Sequence, residues 1–223
     1  MTSSLKNEVT VSDFEGDGRD LRTRVKARIV GTVHGLRVAM TLLALLTGIT
    51  TLGLSANSLA VYKYTHVPDD YLLALWPEHF DLRPTTALIA GSAIVTVANA
   101  VSLLASKTSS VRNRPGAHAS VSLAAPIIGF IAALVAMALF YAVNSSTTVD
   151  TFQSWTCRWK QVGMAMQPHF GSLCRQSEAG LILAILLVPL ELSVLVTACF
   201  QMFLERNFNA ALRSGGSGSP AMS

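Results

Sequence analysis

The chain has 223 residues, 51% of them hydrophobic and only 13% charged, against about 25% charged in a typical soluble domain. That balance argues against a soluble enzyme with a charged shell. The formal net charge of +4 comes without basic segments interleaved with aromatics, which argues against a nucleic-acid-binding surface.

Residues 1–18 are polar, with Glu8, Asp13, Glu15 and Asp17 and no apolar stretch. They read as a disordered tail, and they predict no cleaved leader, so that the first apolar run serves as an uncleaved anchor. Residues 19–37 form a basic juxtamembrane segment that is helix-compatible from Asp20 to Leu36. Two readings of its cations compete. Arg22, Arg24, Lys26 and Arg28 either set topology alone or also hold anionic inner-leaflet lipids, at about 1 kcal/mol per charge near the surface.

Four apolar runs follow: Val38–Tyr62, Thr86–Ala105, Ala119–Val143 and Ala179–Leu204, none containing Lys, Arg or Asp. A helix needs roughly 20 residues to cross ~30 Å of hydrocarbon. Each run therefore predicts a spanning helix, with spans at about 38–62, 86–105, 119–143 and 179–204. The fold class that follows is all-α, a transmembrane four-helix bundle over residues 38–206, with a flexible tail at 207–223. The N-tail, central loop and C-tail hold 12 of the 17 Lys and Arg residues, the two other loops 5. The positive-inside bias then places both termini in the cytoplasm.

Small and hydroxyl residues recur every four positions: Thr47, Thr51 and Ser55; Ser92, Thr96 and Ala100; Ala125, Gly129 and Ala133. Such strips let helices approach closely, more readily within one bundle than as a dimer motif. The first outer loop carries Asp69 and Asp70 as caps for a short helix through Trp76, whose apolar side chains suit the membrane interface. Glu78, His79 and Asp81 nearby have metal-ligating chemistry, but in a short loop they read as solvated surface. The central segment, Ser106–His118, reads as a turn between antiparallel helices. Asn144-Ser145-Ser146 matches a glycosylation sequon, set close to the end of the third span.

The second outer loop holds Cys157 and Cys174, with 16 residues between them. On the non-cytoplasmic side the pair is expected to form a disulfide, worth roughly 3 kcal/mol for a loop of this size. Trp155 and Trp159 flank the first cysteine. They read either as a partner- or lipid-contacting patch or as indoles resting at the headgroups. Cys199, in the inner half of the fourth span, reads as an inert buried thiol or a lipid-facing one.

Glu191 is the one ionisable residue inside the four runs. Counting from the span ends puts it level with Thr50, Thr51 and Thr96, and about a turn from Asn99. With no cation at that depth, a charged carboxylate would cost several kcal/mol. It is expected as a neutral acid, hydrogen-bonded to those Thr and Asn groups. It either locks the bundle or marks a proton or solute route. Neither a Gly-rich phosphate loop nor a zinc or nucleophile motif occurs, so no catalytic residue, cofactor or metal is expected.

The first span LRVAMTLLALLTGITTLGLSANSLAVY, the segment LWPEHFDLRPTTALIAGSAIVTVANAVSLL and the cysteine pair of the second outer loop together resemble MARVEL-like four-span proteins, particularly small fungal members. The resemblance covers about residues 30–206. The chain departs from claudins, whose first outer loop carries a cysteine pair, and from tetraspanins, whose second loop carries a Cys-Cys-Gly motif. The resemblance implies membrane organisation, through lipids, self-association or other membrane proteins as partners, and it carries over no catalytic residue. The alternatives are a small oligomeric transporter or channel using Glu191, and an accessory subunit of a membrane enzyme. A multi-pass protein of the plasma membrane or a secretory-pathway membrane fits all three.

Overall fold

The computed structural model describes residues 11–66, 75–77, 79–107, 115–146, 148–164 and 166–215, with side chains from Arg24 onward except at 26–27, 115–122, 208–209 and 211–215. The elements in chain order are α1 (Val11–Thr65), β1 (Phe80–Asp81), α2 (Arg83–Lys107), α3 (Pro115–Ser146), β2 (Asp150–Thr151), α4 (Phe152–Arg158) and α5 (Phe170–Gly215).

Four helices contain a stretch long and apolar enough to cross a membrane: Arg28–Thr65, Arg83–Lys107, Leu123–Ser146 and Phe170–Asn207. In the most apolar window of each, only 28 to 39% of residues are buried inside the bundle. Leu46, Val97, Ile131 and Val196 point outward among many large apolar side chains. Such faces require an apolar surrounding, and this is an integral membrane architecture.

The helices outrun the apolar runs. Helix α1 begins at Val11, inside the segment expected to be disordered, and α5 continues to Gly215, past the predicted start of a flexible tail at 207. Nucleating a helix is costly but extending one adds a hydrogen bond for each residue fixed, so polar flanks continue a turn already formed. Helix α3 starts on Pro115, where the missing N–H has no intrahelical partner to lose. Pro126 and Pro189 lie inside α3 and α5 without ending either. The predicted helix from Asp69 to Trp76 falls mostly outside the described residues.

Helix α1 packs on α2 and α5, and α3 packs on the same two, giving a four-cornered bundle. Its central layer takes one residue from each helix: Ala44, Val95, Ala133 and Leu187. Leu88, Phe140 and Ala184 form the next layer. Helices α2 and α3 come so close that a Cβ on Gly91 would overlap the Ala136 Cβ. Backbone approach of this kind gains dispersion contacts that lipid cannot supply.

Above the bundle the two longer loops form one cap. Strands β1 and β2 pair in parallel, Phe80 opposite Asp150 and Asp81 opposite Thr151. Thr151 then caps α4, accepting from the Ser154 N–H while Ser154 accepts from the Thr151 N–H. The Asp150 carboxylate accepts from both terminal guanidinium nitrogens of Arg158, at 3.0 and 3.3 Å. The Cys157 and Cys174 sulfurs stand 2.01 Å apart, at bonding distance, and fasten α4 to α5.

Candidate functional site

Two sets of buried polar side chains bond between helices of the bundle. The first set centres on Glu191 of α5, which is fully buried. Its Oε1 accepts a hydrogen bond from the Asn99 Nδ2 of α2. Its Oε2 has no hydrogen-bond partner among the described residues. Gly129 of α3 makes room for the carboxyl: a Cβ there would lie 2.7 Å from Oε2 and 3.2 Å from Cδ. Three helices thus meet on one carboxyl group. One carboxyl oxygen therefore meets an amide donor, and the other faces Gly129 with no hydrogen-bond partner among the described residues.

The hydroxyl partners expected from the sequence do not join it. Thr51 donates to the Thr47 carbonyl at 2.9 Å, Thr50 to Leu46 at 2.9 Å, and Thr96 to Ser92 at 2.7 Å. A Thr or Ser hydroxyl on a helix finds the carbonyl four residues back within reach, and in an apolar surrounding that bond wins over a longer one. Asn99, placed a turn away by counting, is the residue that bonds. A count along each span ignores helix tilt and the reach of the longer side chain.

The second set lies toward the other end of the bundle. Arg37 of α1 is only 8% exposed, and its Nη1 donates to Gln201 Oε1 at 3.3 Å. Gln201 Nε2 in turn donates to Glu205 Oε1 at 3.0 Å. Sequence reasoning counted Arg37 as one of the topology-setting cations and passed over Gln201. A polar amide in an apolar run, about one turn before a Glu, was the available signal.

The cap corrects one expectation outright. Trp76 is not an interfacial side chain but is 4% exposed, at the centre of an aromatic cluster. Its ring meets Tyr62, Phe80, Phe152 and Phe170 at centroid distances of 5.1 to 5.8 Å. Its indole N–H donates to Thr65 Oγ1 at 3.0 Å. Partners from three separate parts of the chain converge there, which no local pattern around Trp76 announces. Trp155 is half-buried, 5.7 Å from Trp159, and its indole nitrogen lacks a partner among the described residues. Trp159 is exposed.

Arg24 and Arg28 are exposed, whereas the side chains of Arg22 and Lys26 lie outside the described residues. Glu78 also lies outside them. Asp81 accepts from the Arg83 N–H at 2.8 Å and so opens α2. Cys157, Cys174 and Glu178 bring three potential ligand atoms within 4.8 Å. Both sulfurs there are joined to each other, so neither offers the thiolate that binds zinc. The Asn144 amide of the sequon donates to Gln153 Oε1 at 3.2 Å.

The chain matches no protein-family model, no curated protein and no solved structure.

Proposed function

We propose a non-enzymatic membrane protein that organises membrane domains or scaffolds partner proteins and lipids. The observation that carries this reading is the sealed carboxyl of Glu191, bonded across the bundle to Asn99 and closed off by Gly129. A route for protons or solutes needs successive polar groups that can exchange partners. Here Thr50, Thr51, Ser92 and Thr96 are all engaged with carbonyls of their own helices. Toward the cap, the space bordered by Ser55, Ser58, Thr85 and Gln176 amounts to about 10 Å³, about one water probe. Glu191 acts as an interhelical lock rather than a carrier.

The orientation belongs to the same proposal. Both termini face the cytoplasm, on the strength of 12 of 17 Lys and Arg residues. The aromatic, disulfide-bonded cap then faces the outside or a secretory lumen, in the plasma membrane or an endomembrane.

Three experiments test this. Purification in mild detergent, with identification of co-purifying proteins and lipids, should recover stoichiometric membrane partners or lipids. Reconstitution of Glu191→Gln beside the wild type should show no difference in proton or solute flux. A flux in the wild type that Glu191→Gln abolishes with expression unchanged replaces the scaffold by a transporter. Protease digestion of a C-terminal tag from outside intact cells would overturn the orientation.

A further inference from the structure

A small cavity lies where the cap rests on the bundle. Phe152 of α4 borders it on the cap side and Phe140 of α3 on the bundle side. Between the two rings, Ser55 of α1, Thr85 of α2, and Gln176 and Gly180 of α5 form the wall.

Two hydroxyls in that wall behave unlike their neighbours. Thr47, Thr51 and Ser58 of α1 each donate to the carbonyl four residues back, the bond that a helical hydroxyl finds first. Ser55 is on the same helix and only 5% exposed, yet it makes no hydrogen bond among the described residues. Its Oγ stands 3.9 Å from where a Cβ on Gly180 would lie, and so faces α5. Thr85, 6% exposed, has no hydrogen-bond partner among the described residues either. Gln176 accepts from the Asn57 amide at 2.9 Å through Oε1, which leaves its Nε2 as a donor with no described acceptor. Buried hydroxyls left unpaired are costly, and the groups that relieve them must fit the space. The cavity measures about 10 Å³, the room that one water molecule needs. No charged residue lines it, so a cation would meet no counter-charge there.

We propose that this cavity is a built site for one ordered water molecule, which bonds Ser55, Thr85 and Gln176 and so joins α1, α2 and α5 beneath the cap. Water both donates and accepts, so a single molecule satisfies two hydroxyls and an amide that do not bond one another. The Phe140 and Phe152 rings close the site on its two sides and make the water a joint between cap and bundle. Such a joint serves a scaffold or a transporter alike, so it does not rest on the scaffold reading.

X-ray radiolytic labelling of the full-length protein in nanodiscs tests this, because radicals formed from an ordered water oxidise the rings beside it. Phe140 and Phe152 are each 2% exposed, and Phe170 of the cap cluster, 5% exposed and not part of the wall, is the reference. Wild type should label Phe140 and Phe152 well above Phe170. Ser55→Ala combined with Thr85→Val removes both hydroxyls and should bring the two rings down to the Phe170 level. Should that pair fail to fold, Gly180→Ala narrows the cavity from α5 and should have the same effect, since its methyl meets only Ser55 Oγ, in ordinary contact at 3.9 Å. Wild-type labelling of the two rings no higher than Phe170 overturns the proposal, as does labelling that the variants leave unchanged. Labelling that changes when choline replaces sodium assigns the site to a cation instead. Labelling that continues to Val95 and Leu187 in the central layer replaces the single water by a file of waters. A flux that depends on Glu191 while labelling stops at Phe140 overturns the scaffold and leaves the water site standing.

Discussion

Gly129→Ala probes the contact on which the bundle lock depends. The added Cβ would stand 2.7 Å from Glu191 Oε2, where ordinary contact begins at 3.4 Å. The carboxyl must retreat by roughly 0.7 Å, the difference between those two distances, or α3 and α5 must part. Retreat is hindered because Asn99 holds Oε1 and the side chain is fully buried. Overpacking in a tight core costs about 1–3 kcal/mol, and a lost interhelical hydrogen bond in a membrane averages about 0.6 and reaches about 1.7 kcal/mol. These overlap, since one movement relieves the first by causing the second, so the expected loss is about 1–3 kcal/mol. Reversible unfolding in mixed micelles of a mild and a denaturing detergent measures it. The control is the same substitution in a Glu191→Ala background, where the methyl meets no carboxyl. There Ala should be neutral or should stabilise by about 0.5–1 kcal/mol through its better helix propensity. The reasoning fails if Gly129→Ala alone leaves stability unchanged, or if it destabilises equally in both backgrounds.

Three further outcomes are expected. Glu191→Gln should change stability by less than about 1 kcal/mol, because the amide keeps a carbonyl for Asn99 and carries no charge, while Glu191→Lys should abolish folded protein, as a buried cation there has no acidic partner; monodispersity on size exclusion separates the two. Trp76→Ala should cost about 3–5 kcal/mol, the range for emptying a large aromatic site, whereas Trp159→Ala, at an exposed ring, should stay within about 0.5 kcal/mol; thermal unfolding monitored by fluorescence distinguishes them. In protein from native membranes, Cys157 and Cys174 should resist alkylation until reductant is added, and free reactivity of both without reductant would contradict the bonded pair.

The four spanning helices were legible because each rests on a run of about 20 apolar residues, and bilayer thickness turns that length directly into structure. The cysteine pair was legible for a similar reason: two cysteines in one short loop need little further information to meet. The partner of Glu191 was only partly so. Sequence shows that a carboxyl sits mid-span, but choosing Asn99 over Thr51 or Thr96 requires knowing that a helical hydroxyl bonds its own backbone first. Gly129 was visible only as one member of a small-residue strip, and its use as a seat for the carboxyl depends on the rotation of α3 against α5. The cap was illegible. Tyr62, Trp76, Phe80, Phe152 and Phe170 come from segments far apart in the chain, and β1 and β2 are two residues each, too short for any alternating pattern to show.

That two-residue pairing has a practical consequence for handling the molecule. Because the backbone of Phe80 and Asp81 is completed by Asp150 and Thr151, the two long loops cannot be exchanged singly. A chimera that replaces either one alone strands the other's N–H and C=O groups and opens the aromatic cluster. Gly163 lies beyond α4 with open space around it, and an inserted epitope or fluorophore site there leaves the pairing, the cap of α4 and the sulfur bridge untouched. Swaps belong to the loops as a pair, and labels belong at Gly163.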